Sequence, residues 1–460
     1  MSDPVLDAVT PKLHDRIAQL VAQHRLPGVA VGIVRDQELA WSAGFGFADM
    51  ATERRPDEHT LFRVGSITKT FTAAALLQLR DAGKLRLDDP IVRFLPEVAA
   101  VRTRFGTVED VTLRRLLTHR SGLMGEPPLS HWETLDFPSI AEILMALPQV
   151  EVVIEPDSAF KYSNLAFALL GEVVTRLSGR PYADYVRSEI LEPLGMASST
   201  FALTDTLHSR AATGYDPHSY EDEPTPAAHP LIKGMTAAGQ LYSSVHDLSK
   251  WIALQFGTGT QTRTGTQVLS GRSLQEMHRV YYLEPGWDFG YCLAWMALRR
   301  GENVYLNHSG GIHGFLTMVS FNKRHRLGVI VLTNMTGHTA TFEITIEVLE
   351  LLIAREKEIT KTAPLPKPTP TPAEWKSFLG RYLGTLGDPV HIECRASALL
   401  LTTPSFPLLP PARLDPTDHS HVFLVRDGRL AGERLTFRYA ADGIVTGFTS
   451  GGFAFRKCPD

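Results

Sequence analysis

Between Lys361 and Trp375 the chain reads KTAPLPKPTPTPAEW, with Pro364, Pro366, Pro368, Pro370 and Pro372 at every second position. Each proline removes a backbone N–H and fixes φ, so neither a helix nor a central strand runs through such a segment. An extended, stiff linker over residues 363–373 is expected. No single core can then span all 460 residues. The sequence divides into a body over 1–362, large enough for a cleft, and a smaller one over 374–460.

Composition narrows what these bodies do. With 43% hydrophobic and 21% charged residues the chain has the profile of a soluble globular protein. Forty-six Lys plus Arg against 50 Asp plus Glu give a formal charge of −4. That offers no chain-wide attraction to nucleic acid or anionic lipid, and neither is expected as a partner. Cys292, Cys394 and Cys458 are far apart and form no C-x-x-C pair, which argues against a disulfide framework or structural zinc. No metal and no cofactor are expected. Asp3 and Asp7 stand where a secretory signal needs basic residues, and no apolar run reaches the ~20 residues of a membrane span. The expectation is a cytoplasmic protein.

Periodicity gives the fold class. Leu13, Ile17, Leu20 and Val21 recur at helical spacing ahead of Pro27-Gly28, and VAVGIV and LAWSAGFG flank a polar turn as a hairpin. From about Thr68 to Ser249 the pattern is mainly helical. VYLNHSGG, GFLTMVSF and LGVIVLTN then read as a meander, followed by a helix from about Thr341 to Ala354. The order predicts an α/β protein of the α+β kind, an antiparallel sheet flanked by the terminal helices with an all-α insertion, and a functional cleft between sheet and insertion. Past the linker, the short runs HIECRA, ALLLTT, HVFLVR, RLTFRYA and GFAFRK predict a small all-β domain, a barrel or curled sheet.

The tetrapeptide S-x-x-K occurs at Ser66–Lys69, Ser158–Lys161 and Ser320–Lys323. A serine nucleophile with a lysine one turn later needs a helix that starts at the serine. Only Ser66 has one, leading into Phe71, Ala73, Ala74, Ala75, Leu76, Leu77 and Leu79 and ending at Gly83. There the helix end and its free N–H groups favour an oxyanion, and desolvation disfavours the ammonium form of Lys69. Tyr162-Ser163-Asn164 heads a second apolar helix. Its tyrosine suits proton transfer and Asn164 suits hydrogen bonding to a substrate carbonyl, although a simple helix cap explains the same residues. His308-Ser309-Gly310-Gly311 lies at a strand end, where the Gly311 N–H is a candidate second oxyanion donor.

FRVGSITKTFTAAALLQL, LLTHRSGL, YSNLAFALLGEVV, TAAGQLYSSVHDLSKW and HSGGIHGF together resemble the serine β-lactamase and penicillin-binding-protein superfamily. The resemblance covers about Arg16 to Leu352 and is nearest the class C-like branch, with its D-peptidases and family VIII carboxylesterases. It implies Ser66 as the acylated nucleophile, Lys69 as its activating partner and Tyr162 as proton shuttle. It also implies that Asn164, His308, Ser309, Gly310 and Gly311 line the substrate site, with the N–H groups of Ser66 and Gly311 as oxyanion hole. The C-terminal β domain, with GRYLG at Gly380 to Gly384, looks like the lipocalin-like additions of some D-aminopeptidase relatives.

Two positions depart from the family pattern: His308 stands where many β-lactamases have lysine, and Gln240 where relatives often have glycine. A histidine carries full charge only below its ordinary pKa of ~6.5, so no permanent carboxylate anchor is expected. Small carboxylic esters therefore rank first among substrates, with weak β-lactamase activity as a side reaction. An amidase or D-aminopeptidase on D-residue peptides, an acyltransferase and a penicillin-binding sensor that never turns over use the same residues. Met124, Trp295 and Phe315 are candidate apolar cleft residues and His313 a candidate on the cleft wall, while His119 reads as loop packing. No G-x-S-x-G elbow is present.

Overall fold

Gly28–Arg35 (β1) is buried along almost its whole length, which requires cover on both faces of the sheet it enters. Its side chains alternate accordingly. Val29, Val31 and Ile33 pack with Leu13, Ile17 and Leu20 of the first helix, Pro4–Gln23 (α1), and with Ile344, Val348 and Leu352 of the helix Ala340–Thr362. Ala30 and Val34 face the opposite core, shared with the helical region in the middle of the chain. The coordinates are a computed structural model, which describes residues 3–459 apart from 130, 218–222, 258–264, 266, 363–371, 385–386, 388, 396–397 and 405–409.

Around β1 the sheet has eight antiparallel strands: Glu38–Gly46 (β2), Tyr282–Leu283 (β3), Phe289–Tyr291 (β4), Met296–Arg300 (β5), Asn303–Ile312 (β6), Phe315–Asn322 (β7) and Leu327–Thr333 (β8), in the order β2-β1-β8-β7-β6-β5-β4-β3. The first hairpin and the β6–β8 meander are those expected from the sequence. The insertion between β2 and β3 is mainly helical as expected, but it is not all-α: it also carries three two-stranded sheets, Phe62–Arg63 with Tyr242–Ser243, Arg102–Thr103 with Glu151–Val152 and Tyr215–Asp216 with Thr225–Pro226. The architecture is an antiparallel sheet flanked by helices. The last helix runs to Thr362, past the end expected near Ala354, where the added turns are mostly polar and carry little apolar period.

Two helices of the insertion position the cleft. Thr68–Asp81 (α2) is buried on nearly every side, with Phe71 stacked on Trp251 at 4.2 Å between ring centroids. Its threonines are satisfied: Thr68 and Thr70 donate locally to the carbonyls of Gly65 and Ile67, and Thr72 donates to that of the distant Ala237, at 2.7–2.8 Å. Asn164–Ser178 (α3) begins at Ser163, whose Oγ accepts from the Ala166 N–H at 3.0 Å, and ends at Gly179 in the left-handed region, φ 72°.

Strand β6 presses its backbone on the turn that precedes α2. A Cβ at Gly310 would lie 1.9 Å from the Val64 carbonyl oxygen, and one at Gly65 would lie 2.8 Å from the Gly311 nitrogen. Gly65 also has φ +52°, so only glycine fits it without strain. Thr317 Oγ1 completes the junction by donating to the Val64 carbonyl at 3.0 Å.

The chain divides into two compact units, Met1–Lys361 and Thr362–Asp460. In the second, eight strands from Gly380–Gly384 to Phe453–Lys457 pair in chain order, and the last pairs with the first to close a barrel. Tyr382, Ile392, Leu399, Leu414, Phe437 and Phe448 fill its core. Ala412–Pro416 and Val445–Ser450 are strands that the sequence pattern did not announce, the first because it is polar, the second because it is glycine- and threonine-bearing. Most of the proline-rich stretch, 363–371, lies outside the described residues. Among the described residues no helix is long and apolar enough to cross a membrane.

Two outcomes are expected. Gly310→Ala forces strand and turn apart by about 1 Å and destabilises the first unit by about 1–3 kcal/mol, read from the shift of its urea midpoint. An unchanged midpoint would contradict the close approach. A chain ending at Lys361 should unfold in one cooperative transition, since its cores close within it. A gradual, non-cooperative melt followed by circular dichroism would contradict that.

Candidate active site

Ser66 occupies a single 3-10 turn, Gly65–Ile67, that runs directly into α2, and it is half-buried at the head of that helix. Lys69, one turn on, is 0% exposed. Its Nζ has three partners, one for each ammonium proton: Ser66 Oγ at 2.9 Å, Asn164 Oδ1 at 2.7 Å and the Ala238 carbonyl at 2.7 Å. Three separate parts of the chain thus converge on one amine. Burial pulls the Lys69 pKa down to about 7, with the Glu126 charge opposing in part.

Tyr162 closes the group. The Lys69 Nζ lies 4.9 Å from its ring centroid, and its hydroxyl is held against the Ser66 side chain. Burial pushes its pKa above the usual phenol range, and the hydrogen bond with Ser66 opposes this weakly. At neutral pH the phenol therefore carries its proton. Of the two groups beside Ser66, the amine titrates near neutrality and the phenol keeps its proton.

Ser309 and Gly311 are exposed on β6, whereas Gly310 is buried against Val64 and serves the packing of that strand. The Gly311 nitrogen lies beside Gly65, next to the Ser66 turn. His308 corrects an expectation. Its ring is 0% exposed; Nδ1 donates to the Ser309 carbonyl at 2.6 Å, and Nε2 lies 3.5 Å from the Tyr291 hydroxyl. Burial, with the Lys69 charge adding to it, takes its pKa to about 3, so it is neutral over the working range. It neither titrates near pH 6.5 nor presents a charge to substrate.

Other candidates fall out differently. Ser158 is exposed and donates to the Glu155 carbonyl; Ser320 is buried in β7. Trp295 and Phe315 belong to the core, where they meet Phe321 and Phe62 edge-on, so they do not line an open cleft as expected. Met124 is half-buried, and its carbonyl accepts from Ser163 Oγ. Gln240 accepts from the Ile232 N–H at 3.0 Å, a loop-holding role. His313 is half-buried, 6.0 Å from the Trp132 ring. His119 is buried, accepts from the Ser163 N–H at 3.1 Å and lies 4.2 Å from the Tyr162 ring, so it packs directly behind the site.

Sequence reasoning missed Glu126, His131 and Tyr291. Glu126 accepts from Asn164 Nδ2 and lies 3.3 Å from His131 Nε2. No periodic pattern marks the 125–137 segment. The available signal was an acidic residue, Glu126, three positions past the end of the LLTHRSGL stretch at Leu123.

The family model described as Beta-lactamase matches residues 13–352. The Staphylococcus aureus (strain MW2) protein named Flp is 24% identical over 312 residues, 68% of this chain and 60% of that protein, so the chain spans about three-fifths of this relative's length. A solved structure of the octameric penicillin-binding protein homologue from Pyrococcus abyssi superimposes with a TM-score of 0.65 at 25% identity, covering 97% of this chain and 100% of that one. The class C beta-lactamase from Rhodobacter sphaeroides gives a TM-score of 0.61 at 21% identity over 75% and 99% of the two chains, a likeness of fold. With three-quarters of its length matched by the model, the chain belongs to the beta-lactamase family.

Proposed function

We propose that the protein is a serine hydrolase that works through an acyl-enzyme on Ser66, with small carboxylic esters as substrates. One observation carries the reading: a fully buried lysine holds its two shortest contacts to fixed acceptors and its third to the serine hydroxyl. When Lys69 is neutral, two N–H groups remain on Asn164 Oδ1 and the Ala238 carbonyl, and the lone pair faces Ser66 Oγ. The lysine then accepts the serine proton as the oxygen attacks the ester carbonyl carbon. The oxyanion forms against the N–H groups of Ser66 and Gly311. Tyr162 donates its proton to the departing alkoxide and is reprotonated from Lys69, leaving the acyl-enzyme. Water then attacks the acyl carbon, its proton returns by the same groups, and the carboxylic acid leaves with Ser66 restored.

Preference for neutral esters is supported by His308. A buried, neutral imidazole where many β-lactamases have lysine supplies no cation for a carboxylate-bearing substrate. A second reading, an amidase on D-residue peptides, is favoured by the barrel, since the match to the penicillin-binding protein homologue spans both units.

The test combines a covalent probe with a substrate panel. A fluorophosphonate should add one adduct, on the peptide containing Ser66, and Ser66→Ala should lower kcat on the order of 10⁴-fold or more while the circular dichroism spectrum is kept. An adduct on Ser158 or Ser320 would overturn the assignment. Against p-nitrophenyl esters, D-amino-acid anilides and nitrocefin, with and without added alcohol, the esters should give the highest kcat/KM, with free acid as product. A higher value for the anilides would select the second reading.

A further inference from the structure

The catalytic lysine is connected to a second ionisable pair that neither the motifs nor the proposed chemistry assigns. Lys69 Nζ donates to Asn164 Oδ1, and Asn164 Nδ2 donates to Glu126 Oε1. The other carboxylate oxygen, Oε2, lies 3.3 Å from His131 Nε2, and His131 Nδ1 lies 2.6 Å from the Leu129 carbonyl oxygen. The imidazole is 1% exposed on its side chain and packs against Phe137 and Trp132; Glu126 is 35% exposed.

Hydrogen-bond chemistry limits the arrangements open to this pair. A carbonyl oxygen only accepts, so His131 Nδ1 carries a proton. Nε2 and the carboxylate oxygen are both acceptors unless a second proton lies between them. An Nε2–H···Oε2 hydrogen bond at this contact places one proton between the two groups, and the hydrogen-bonded pair then carries no net charge.

We propose that Glu126 and His131 act as a charge-neutral positioning pair: Glu126 fixes the Asn164 amide with its oxygen toward Lys69, and His131 cancels the charge that Glu126 would otherwise impose on that lysine. The inference rests on the Ser66 acyl-enzyme reading. A bare carboxylate one hydrogen-bonded residue from Lys69 favours the ammonium form, which cannot take the serine proton. The ionisable groups bearing on Lys69 are Glu126, Tyr162, His119 and His308. Tyr162 is protonated and both histidines are neutral at pH 7, which leaves Glu126, the partner of His131, as the charge acting on Lys69.

The test follows the rate of Ser66 labelling by a fluorophosphonate from pH 5.5 to 9 in the full chain. His131→Gln keeps a hydrogen-bond donor and removes the titratable ring, and His131→Asn covers the case in which glutamine does not fit. Either should move the acid limb of the profile upward by about 0.5–1 pH unit, a loss of roughly three- to tenfold in rate below the limb. Adding Glu126→Gln to the same variant should return the limb to its parental position. A structural role alone lowers the rate evenly across pH, and a parental limb in both single variants, or a shift that Glu126→Gln leaves in place, would overturn the pair. Absence of labelling at Ser66 in the parent would instead overturn the acyl-enzyme reading, and the pair with it.

Discussion

Everything at this site depends on an amine placed where water cannot reach it. Moving the Lys69 pKa from 10.5 to about 7 corresponds to about 5 kcal/mol between its two protonation states. The sign matters. The unfolded lysine binds a proton up to its ordinary pKa and the folded one releases it near 7, so folding stability rises with pH between these values and the cost is full below pH 7. The fold meets that cost with its own packing, and the result is an amine that sheds its proton near neutral pH.

That packing explains the arrangement of the larger unit. One acceptor for Lys69 comes from the 3-10 turn that leads into its helix, one from the head of α3 and one from the Ala238 carbonyl. None of the three elements tolerates drift. Trp251 Nε1 donates to Thr70 Oγ1 at 3.1 Å, Thr72 bonds both the Ala237 carbonyl and the Tyr182 hydroxyl, and the Leu241 N–H donates to Thr68 Oγ1. The alternate threonines of TKTFT tie α2 to the 237–241 segment and to Trp251. On the other side Gly65 and Gly310 admit β6 at backbone distance, bringing Gly311 beside the serine turn.

Much of this was legible in the residues. The apolar run after Ser66 gave the buried helix, the three apolar runs near residue 330 gave the meander, and helix context separated Ser66 from Ser158 and Ser320. What escaped had physical reasons. Phe315 and Trp295 are apolar residues near a motif, and whether such a side chain meets core or cleft depends on strand pleat and local turns that sequence proximity does not report. His308 has the composition of a switch but the burial of a core residue, and burial is a tertiary property. Glu126 and His131 sit in a loop with no period, where only the folded chain brings them to Asn164.

The central claim, that burial leaves Lys69 as a neutral base at physiological pH, is tested most directly by titrating that one amine. With ¹³Cε-labelled lysine and a Lys69→Arg spectrum to assign the resonance, the Lys69 signal should titrate with a midpoint near 7, apart from the bulk of lysines near 10.4. A Lys69 resonance that stays with the others until the bulk titration would mean that the amine is held as an ammonium ion, and the account of how Ser66 loses its proton would be wrong.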